Sequence, residues 1–256
     1  MSDTALGYLV GSTTRPDTLT ALRDQDRLSI RALEDRVAAS RRTLKRTLGA
    51  MESRGWVRNV DGAYELTSLG AAILSAYDRF RDHERIAEQF RPFLERTPGA
   101  VFDPSIDALA DATIRYPDDP ESSIDRLVEL RADASRLREC APFLLLESVR
   151  QLADRITDDG PSPDVTLVIG DGTPTTDQYT AEYCERFATL AAADSVDIHL
   201  HSDIPFPFGV FDGHAFAGAM EPDGMPHAMI ESDHPELVDW AERTFDDYLA
   251  AADPLE

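Results

Sequence analysis

The chain is short of lysine. Of its 25 basic residues only Lys45 is a lysine, against 48 acidic residues and a formal net charge of −23. A carboxylate-dense, lysine-poor surface suits a cytoplasm of very high salt, where it keeps a protein hydrated. At about 1 M salt the Debye length is only about 3 Å. Long-range steering and counterion release are then weak, so binding to a polyanion has to rest on close hydrogen bonds, which forked guanidinium groups supply. Cysteine is scarce as well. Cys140 and Cys184 give no disulfide framework, point to a reducing interior, and are expected to be buried small hydrophobes. No apolar run approaches the roughly 18 residues of a membrane span. The opening MSDTALGYLVG carries no basic leader, so a cytoplasmic protein without a membrane partner is expected.

Catalytic motifs are missing too. The sequence has no serine nucleophile elbow, no phosphate-cradling glycine loop with a lysine, and no His-Glu-x-x-His helix. A phospholipase-D-type site needs a His-x-Lys motif, and the single lysine lies in another part of the chain. No enzyme and no cofactor are expected.

What is present is a globular chain of 256 residues with 42% hydrophobic content, enough for two small domains. Its charge is unevenly placed. Residues 1–91 hold 15 basic and 13 acidic side chains, a net of +2; residues 92–256 carry a net of −25. Within residues 40–58 six basic residues face one acidic residue.

That basic patch falls in LSIRALEDRVAASRRTLKRTLGAMESRGWVRNVDGAYELT, residues 28–67. Ile30, Leu33 and Val37 share one helical face behind Ser29, a good N-cap. Ala38-Ala39 makes a tight connection, and Ser40 caps a second helix in which Leu44, Leu48 and Met51 form the buried stripe. Arg41, Arg42, Lys45 and Arg46 lie opposite that stripe, and Gly55 supplies the left-handed residue that ends the helix. The period then turns alternating: Trp56–Val60 and Ala63–Thr67 flank Asp61-Gly62, a strong hairpin signal. Helix, turn, basic helix and ribbon spell a winged helix-turn-helix. The residues expected to meet double-stranded DNA are Ser40, Arg41, Arg42, Thr43, Lys45 and Arg46 on the second helix, with Arg58 and Tyr64 on the wing. A small helical domain with a solvated basic face is the plainer alternative.

Before this motif, Leu6, Leu9 and Val10 form an apolar cluster, followed by a helix entered near Pro16 with Leu19 and Leu22 inward. After it, Ser68 caps a helix running to about Phe90, with Leu69, Ile73, Ala76, Tyr77, Phe80, Ala87 and Phe90 in rough helical spacing. A dimerisation helix is slightly favoured over one packed on its own domain, because two recognition helices then meet successive turns of DNA. Arg91–Pro104 holds three prolines and a glycine and reads as a boundary.

The remainder reads as α/β. A strand at Ala112–Tyr116 ends in Pro117-Asp118-Asp119-Pro120. A helix holding Ile124, Leu127, Val128 and Leu130 follows, then a strand at Leu137–Ala141 and a helix at Leu144–Ile156. Val165–Ile169 is apolar enough for a strand covered on both faces. A helix near Tyr179–Ala192 and a strand at Val196–His201 continue a largely parallel pattern. Strands at Phe206–Phe211, His214–Met220 and Ala228–Ile230 then form an antiparallel meander, and a helix at Pro235–Leu249 closes the chain. The fold class expected is α+β / α/β. Residues 1–67 form the winged helix-turn-helix, 68–91 the linker or dimerisation helix, and 92–256 an α/β domain with a mixed sheet ending in the meander.

In open α/β sheets ligands sit beyond the carboxyl ends of parallel strands. Those ends are Ala141-Pro142-Phe143, Gly170-Asp171-Gly172-Thr173 and His201–Pro205. The expected rim of a small-molecule effector pocket is Phe143, Asp171, Thr173, His199, His201, Phe206 and Phe208, with the glycines letting backbone approach the ligand. His199 and His201 share a strand face, but no third ligand has a recognisable spacing, so no metal is expected.

The segments VAASRRTLKRTLGAMESRGWV and GAYELTSLGAAI resemble archaeal winged-helix regulators related to the methanogenesis regulatory protein. The likeness runs on through DALADATIRYP and FPFGVFDGHAFAGAMEPDGMPHAMIESDHPELVDWAERTFDDYL, and so covers most of the chain. It implies a transcription regulator, abundant in halophilic archaea, with an acidic C-terminal effector domain. It names no ligand. Taken with the residues, the expectation is a sequence-specific DNA-binding regulator, a homodimer, whose C-terminal domain senses a small molecule or mediates assembly. The alternative is a winged-helix protein–protein adaptor without DNA binding.

Overall fold

The computed structural model describes residues 4–116, 120–158, 160–172 and 180–255. It divides into two units, Met1–Arg85 and Ile86–Glu256. The first unit runs α1 (Ala5–Val10), α2 (Thr14–Arg23), β1 (Leu28–Ser29), α3 (Ile30–Glu34), α4 (Arg41–Ser53), β2 (Val57–Val60), β3 (Ala63–Leu66) and most of α5 (Ser68–Gln89). The helix starts are built as their caps require: Ser29 Oγ accepts from Ala32 N at 3.2 Å and Ser40 Oγ from Thr43 N at 3.3 Å. Leu44, Leu48 and Met51 of α4 pack into one core with Leu19, Leu22 and Leu33. Helix α3 stops at Glu34, before Val37; a turn follows, and Val37 still reaches the core. At the wing tip both Asp61 (φ 52) and Gly62 (φ 85) are left-handed, the twist that a two-residue hairpin turn needs.

Four local expectations change. The ribbon has a third strand, since β1 pairs with β3 and the order is β1-β3-β2. The cap of α5 is Thr67 and not Ser68: Thr67 Oγ1 accepts from Gly70 N at 3.0 Å, while its hydroxyl lies 2.7 Å from Gly55 O. In α1 only Leu9 is buried, while Leu6 and Val10 are exposed. There the guanidinium groups of Arg15 and Arg54 stack on Tyr8 instead, 4.1 and 4.3 Å from its ring centre. Along α5, Leu74 is fully buried, whereas Leu69 and Phe80 are 51% and 39% exposed. The helix therefore carries two apolar faces, not one.

The second unit is one mixed sheet with helices on both faces. Its elements are α6 (Arg91–Leu94), a 3-10 turn (Ile106–Leu109), β4 (Thr113–Arg115), α7 (Pro120–Asp133), β5 (Arg136–Ala141), α8 (Leu146–Thr157), β6 (Asp164–Gly170), α9 (Ala181–Ala191), β7 (Val196–His201), β8 (Phe208–Phe211), β9 (His214–Met220), β10 (Pro226–Ser232), α10 (Pro235–Ala251) and β11 (Asp253–Pro254). The strand order is β11-β7-β6-β5-β8-β9-β10-β4. Only β5, β6 and β7 are mutually parallel; β8, β9 and β10 form the meander. Strand β4 leaves the parallel set and closes the far edge, antiparallel to β10, where Arg115 reaches Glu231. Strand β5 is the switch, parallel to β6 on one side and antiparallel to β8 on the other.

Alternation along each strand divides the apolar residues between two cores. Leu137, Leu167, Ile169, Ile198 and Phe216 belong to one, with Val149 and Leu152 of α8 and Phe187 of α9. Cys140, Val168, Phe208 and Ile230 belong to the other, with Phe93 and with Trp240 and Phe245 of α10. The proline-rich stretch 91–104 is packed rather than open: Phe102 lies 5.0 Å from Phe93 and 4.9 Å from Trp240, ring centre to ring centre. Cys140 is buried, and burial beside Glu139 pushes its thiol up, out of reach of titration at ordinary pH. Cys184, expected inside, is exposed on α9 because its neighbours Tyr183 and Phe187 take the inward positions. The turn at Pro117–Asp119, the residue Thr173 and the expected helix start at Tyr179 lie outside the described residues; α9 begins after Thr180, whose hydroxyl accepts from Tyr183 N. Among the described residues no helix is long and apolar enough to cross a membrane.

Candidate functional site

The basic helix presents its charges outward because its leucines face the core. Arg41, Arg42, Lys45 and Arg46 are exposed, while Leu44, Thr47 and Leu48 between them are buried. Arg41 Nη1 is 3.5 Å from Glu34 Oε2. For Arg42, Lys45 and Arg46 no carboxylate stands within ion-pair distance among the described residues. Ser40 and Thr43 sit at the helix entrance, their hydroxyls 3.0 Å apart. Both are tied to the cap, yet Ser40 is exposed and Thr43 half-buried.

The wing is held against the end of this helix by Asn59 N donating to Glu52 Oε1 at 3.3 Å. Its two expected contact residues differ from the helix residues. Arg58 is ion-paired to Glu65, which also receives Arg27 Nε at 2.8 Å. Hydrogen bonds from these two guanidinium groups, Arg58 first, hold the Glu65 carboxyl below its ordinary range. Tyr64 lies in the central strand, opposite both Leu28 and Asn59, and packs against the core. Arg27 is the residue that helical spacing alone did not single out. It precedes β1, and only the pairing of β1 with β3 brings it to the wing carboxylate.

In the second unit the expected pocket residues do not gather at one place. Phe143 lines a cavity at the carboxyl end of β5. Phe206 and Phe208 are 1% and 0% exposed, 5.8 Å apart, and belong to the aromatic core with Trp240 and Tyr248. His201 packs edge-on against Tyr248 at 4.9 Å, and its Nδ1 accepts from Asp203 N. His199 Nδ1 is buried without a hydrogen-bond partner. Asp171 is exposed beyond β6, its N donating to His201 O at 3.2 Å. Thr173 lies outside the described residues. Gly170 serves protein packing: a Cβ there would meet Pro142 O at 2.2 Å, so its backbone approaches another strand end rather than a ligand. No group of three or more His, Cys, Asp or Glu side chains suited to a metal ion occurs among the described residues.

Elsewhere in the second unit the buried charged residues Arg131, Arg138, Glu139 and Glu231 are paired. Arg131 and Glu139 are 1% and 2% exposed and bonded to each other. Glu231 accepts from Arg115 at 2.9 Å and from Arg126 at 2.8 Å, and lies 3.1 Å from His214 Nε2. Burial alone would raise the Glu231 carboxyl, but the bonds from His214, Arg126 and Arg115 outweigh it and hold it at about 2.

A capped basic helix after a short turn, flanked by a three-stranded wing and followed by a mixed-sheet domain, defines a winged helix-turn-helix regulator-type protein. Residues 120–251, just over half the chain, match the family of the middle domain of the methanogenesis regulatory protein FilR1, and residues 3–89 match the HVO_A0261 N-terminal domain. The chain belongs to the FilR1 family of regulators. Comparison with curated proteins gives no match. Among solved structures the chain is similar, at 11% identity over 100% of both chains and a TM-score of 0.43, to TrmBL2, described as an archaeal chromatin protein with a novel mode of DNA binding. It is similar at 13% identity to an IclR-family transcriptional regulator from Rhodococcus sp., over 96% and 94% of the two chains with a TM-score of 0.21. PigF with SAH matches at 13% identity over 77% of this chain and 62% of that one, with a TM-score of 0.23. Likenesses this weak carry no functional inference.

Proposed function

We propose that the protein regulates transcription by binding double-stranded DNA in a sequence-dependent way. In this reading α4 enters the major groove and the wing lies along the backbone. The observation that carries it is the open face of α4: Arg42, Lys45 and Arg46 stand exposed and, among the described residues, without carboxylate partners, in a chain of net charge −23. With 48 acidic residues in the chain, such a row is not the default outcome. At about 1.5 Å per residue the helix is about 20 Å long, and a groove about 12 Å wide admits it. Phosphates would take some of these cations, and base edges others.

The protein acts as a homodimer through α5. Support comes from the exposed Leu69 and Phe80, which with the exposed Ala72 and Ala76 between them recur every three or four residues on one helix face. The second unit is the part that senses a small molecule.

The test is fluorescence anisotropy in molar KCl with the protein's own upstream DNA, scrambled DNA, and a variant with Arg41, Arg42, Lys45 and Arg46 all changed to Ala. Tight binding to the first DNA alone, lost in the variant, is the expected result. Equal affinity for both DNAs removes sequence dependence. Absence of binding here and in a genome-wide selection leaves the adaptor as the better reading. For the dimer, sedimentation of Phe80→Asp should give a monomer where the wild type gives a dimer; a wild-type monomer at micromolar concentration would refute it.

A further inference from the structure

The second unit holds a half-open cavity of about 80 Å³ at the carboxyl end of β5, where the sheet changes from parallel to antiparallel. Its lining includes the small residues Ala141 and Gly218. Gly209 on β8 and Gly218 on β9 stand on the same face as Glu139 and Ala141 of β5, with Phe216 between the two glycines in register. A Cβ on Gly218 would meet Pro207 Cγ at 2.8 Å, and one on Gly209 would meet Arg138 O at 2.3 Å, so both glycines allow close packing of the strands beside the cavity. Apolar walls come from Leu127 of α7, the loop residues Phe143 and Leu145, Phe216 and Met220 of β9, and Met229 of β10.

One corner is polar. Arg131 of α7, Glu139 of β5 and Ser148 of α8 all line the cavity, each at most 3% exposed. Arg131 Nε donates to Glu139 Oε2 at 2.9 Å, Nη2 to Glu139 Oε1, and Nη1 to Ser148 Oγ at 2.8 Å. A guanidinium has five N–H donors, so one hydrogen on Nη1 and one on Nη2 are left over, and the Ser148 hydroxyl keeps its own. Both Glu139 oxygens are already engaged by Arg131. The corner therefore offers three spare donors beside a carboxylate that keeps lone pairs of its own, and its two charges cancel.

We infer that this cavity binds a small, neutral, largely apolar molecule bearing one hydrogen-bond acceptor, of the class of short branched-alkyl ketones, esters and ethers; an aromatic ring needs about 150 Å³. An acceptor oxygen takes the spare donors at the corner, and the hydrocarbon part takes the apolar walls. An anion of equal size would be stripped of water beside a guanidinium already neutralised by Glu139, and such a charge is costly to bury. A pure hydrocarbon fills the walls and leaves the donors unused. The inference concerns the second unit alone and does not depend on α4 binding DNA.

The test uses the full chain in molar KCl and saturation-transfer NMR titration with three probes of six non-hydrogen atoms each: 3-methyl-2-butanone, isobutyrate and 2,3-dimethylbutane. The ketone should bind saturably at one per chain, isobutyrate at least about tenfold more weakly, and the hydrocarbon between them. Ala141→Leu fills the floor, and Leu145→Trp fills the rim from a half-buried position that tolerates it. The folded variants should lose at least about tenfold in ketone affinity. Failure of the folded wild type to bind the ketone up to its solubility limit overturns the assignment. So does isobutyrate or the hydrocarbon binding as tightly as the ketone, or unchanged affinity in Leu145→Trp.

Discussion

Two sets of arginines face opposite requirements in this chain. On α4, Arg42 and Arg46 are exposed and have no carboxylate partner among the described residues. In the sheet domain Arg131 is buried against Glu139, Arg138 is bonded to Asp246, and Arg115 and Arg126 share Glu231. The difference follows from what stands opposite each set. The sheet arginines meet carboxylates on neighbouring elements, whereas the face of α4 opposes only its own leucine stripe and solvent. Buried pairs add conformational definition more surely than stability. Open cations on a helix add nothing to the fold and are free for a ligand.

The largest break in this contrast comes from Arg131→Ala. It leaves the Glu139 carboxylate buried without its partner, and a loss of about 3–5 kcal/mol is expected, read by urea unfolding in molar KCl. The double change Arg131→Met with Glu139→Leu should recover most of it, since no charge is then stranded. Arg42→Ala, by contrast, should move stability by less than about 0.5 kcal/mol while weakening DNA binding. Equal stability losses at the two sites would erase the distinction.

Glu231 sharpens the comparison by pH. Its carboxyl is held at about 2, below the usual 4.5. Its contribution is therefore complete above pH about 4.5 and is lost as the pH falls from there through about 2. Glu231→Gln should cost on the order of 3 kcal/mol at neutral pH, and the gap from wild type should close over that acid window. A gap that stays constant down to pH 2 would mean that the charge of Glu231 is not what holds Arg115 and Arg126.

Much of this was legible from local rules. The caps Ser29 and Ser40, the leucine stripe of α4 and the Asp61-Gly62 turn are each decided within a few residues, and each stands where spacing placed it. Strand β9 kept its expected bounds because Asp212-Gly213 and Asp223-Gly224 punctuate both ends. What local rules could not reach was pairing between distant segments. Strand β1 is two residues long and exists only because Leu28 lies beside Tyr64. Strand β4 looks like the start of a parallel set until its partner proves to be β10. Phe206 and Phe208 are by sequence candidates for a pocket mouth, although alternate aromatics are more often core, and packing against Trp240 and Tyr248 places them in the core. The cavity was reached only through its strand-end rule, at Phe143. Its polar corner joins residues from α7, β5 and α8, which no single motif connects.

The smallest expected effect concerns the wing, where the two kinds of arginine meet. Arg58 is exposed like the α4 cations yet ion-paired like the sheet ones, and it shares Glu65 with Arg27. If α4 carries the binding, that carboxylate acts as a local brake, competing with phosphate for both guanidinium groups. Glu65→Gln removes the negative charge, keeps the shape and leaves an amide oxygen that can still accept one bond. DNA affinity should rise a few-fold, with the ratio of upstream to scrambled DNA unchanged, because phosphate contacts add strength without reading sequence. In molar salt the gain has to come from direct contact, since a charge acting across solvent is screened within about 3 Å. A tighter complex with altered sequence preference would instead place Arg27 or Arg58 at a base edge. An affinity that falls would mean that Glu65 positions the wing rather than restrains it.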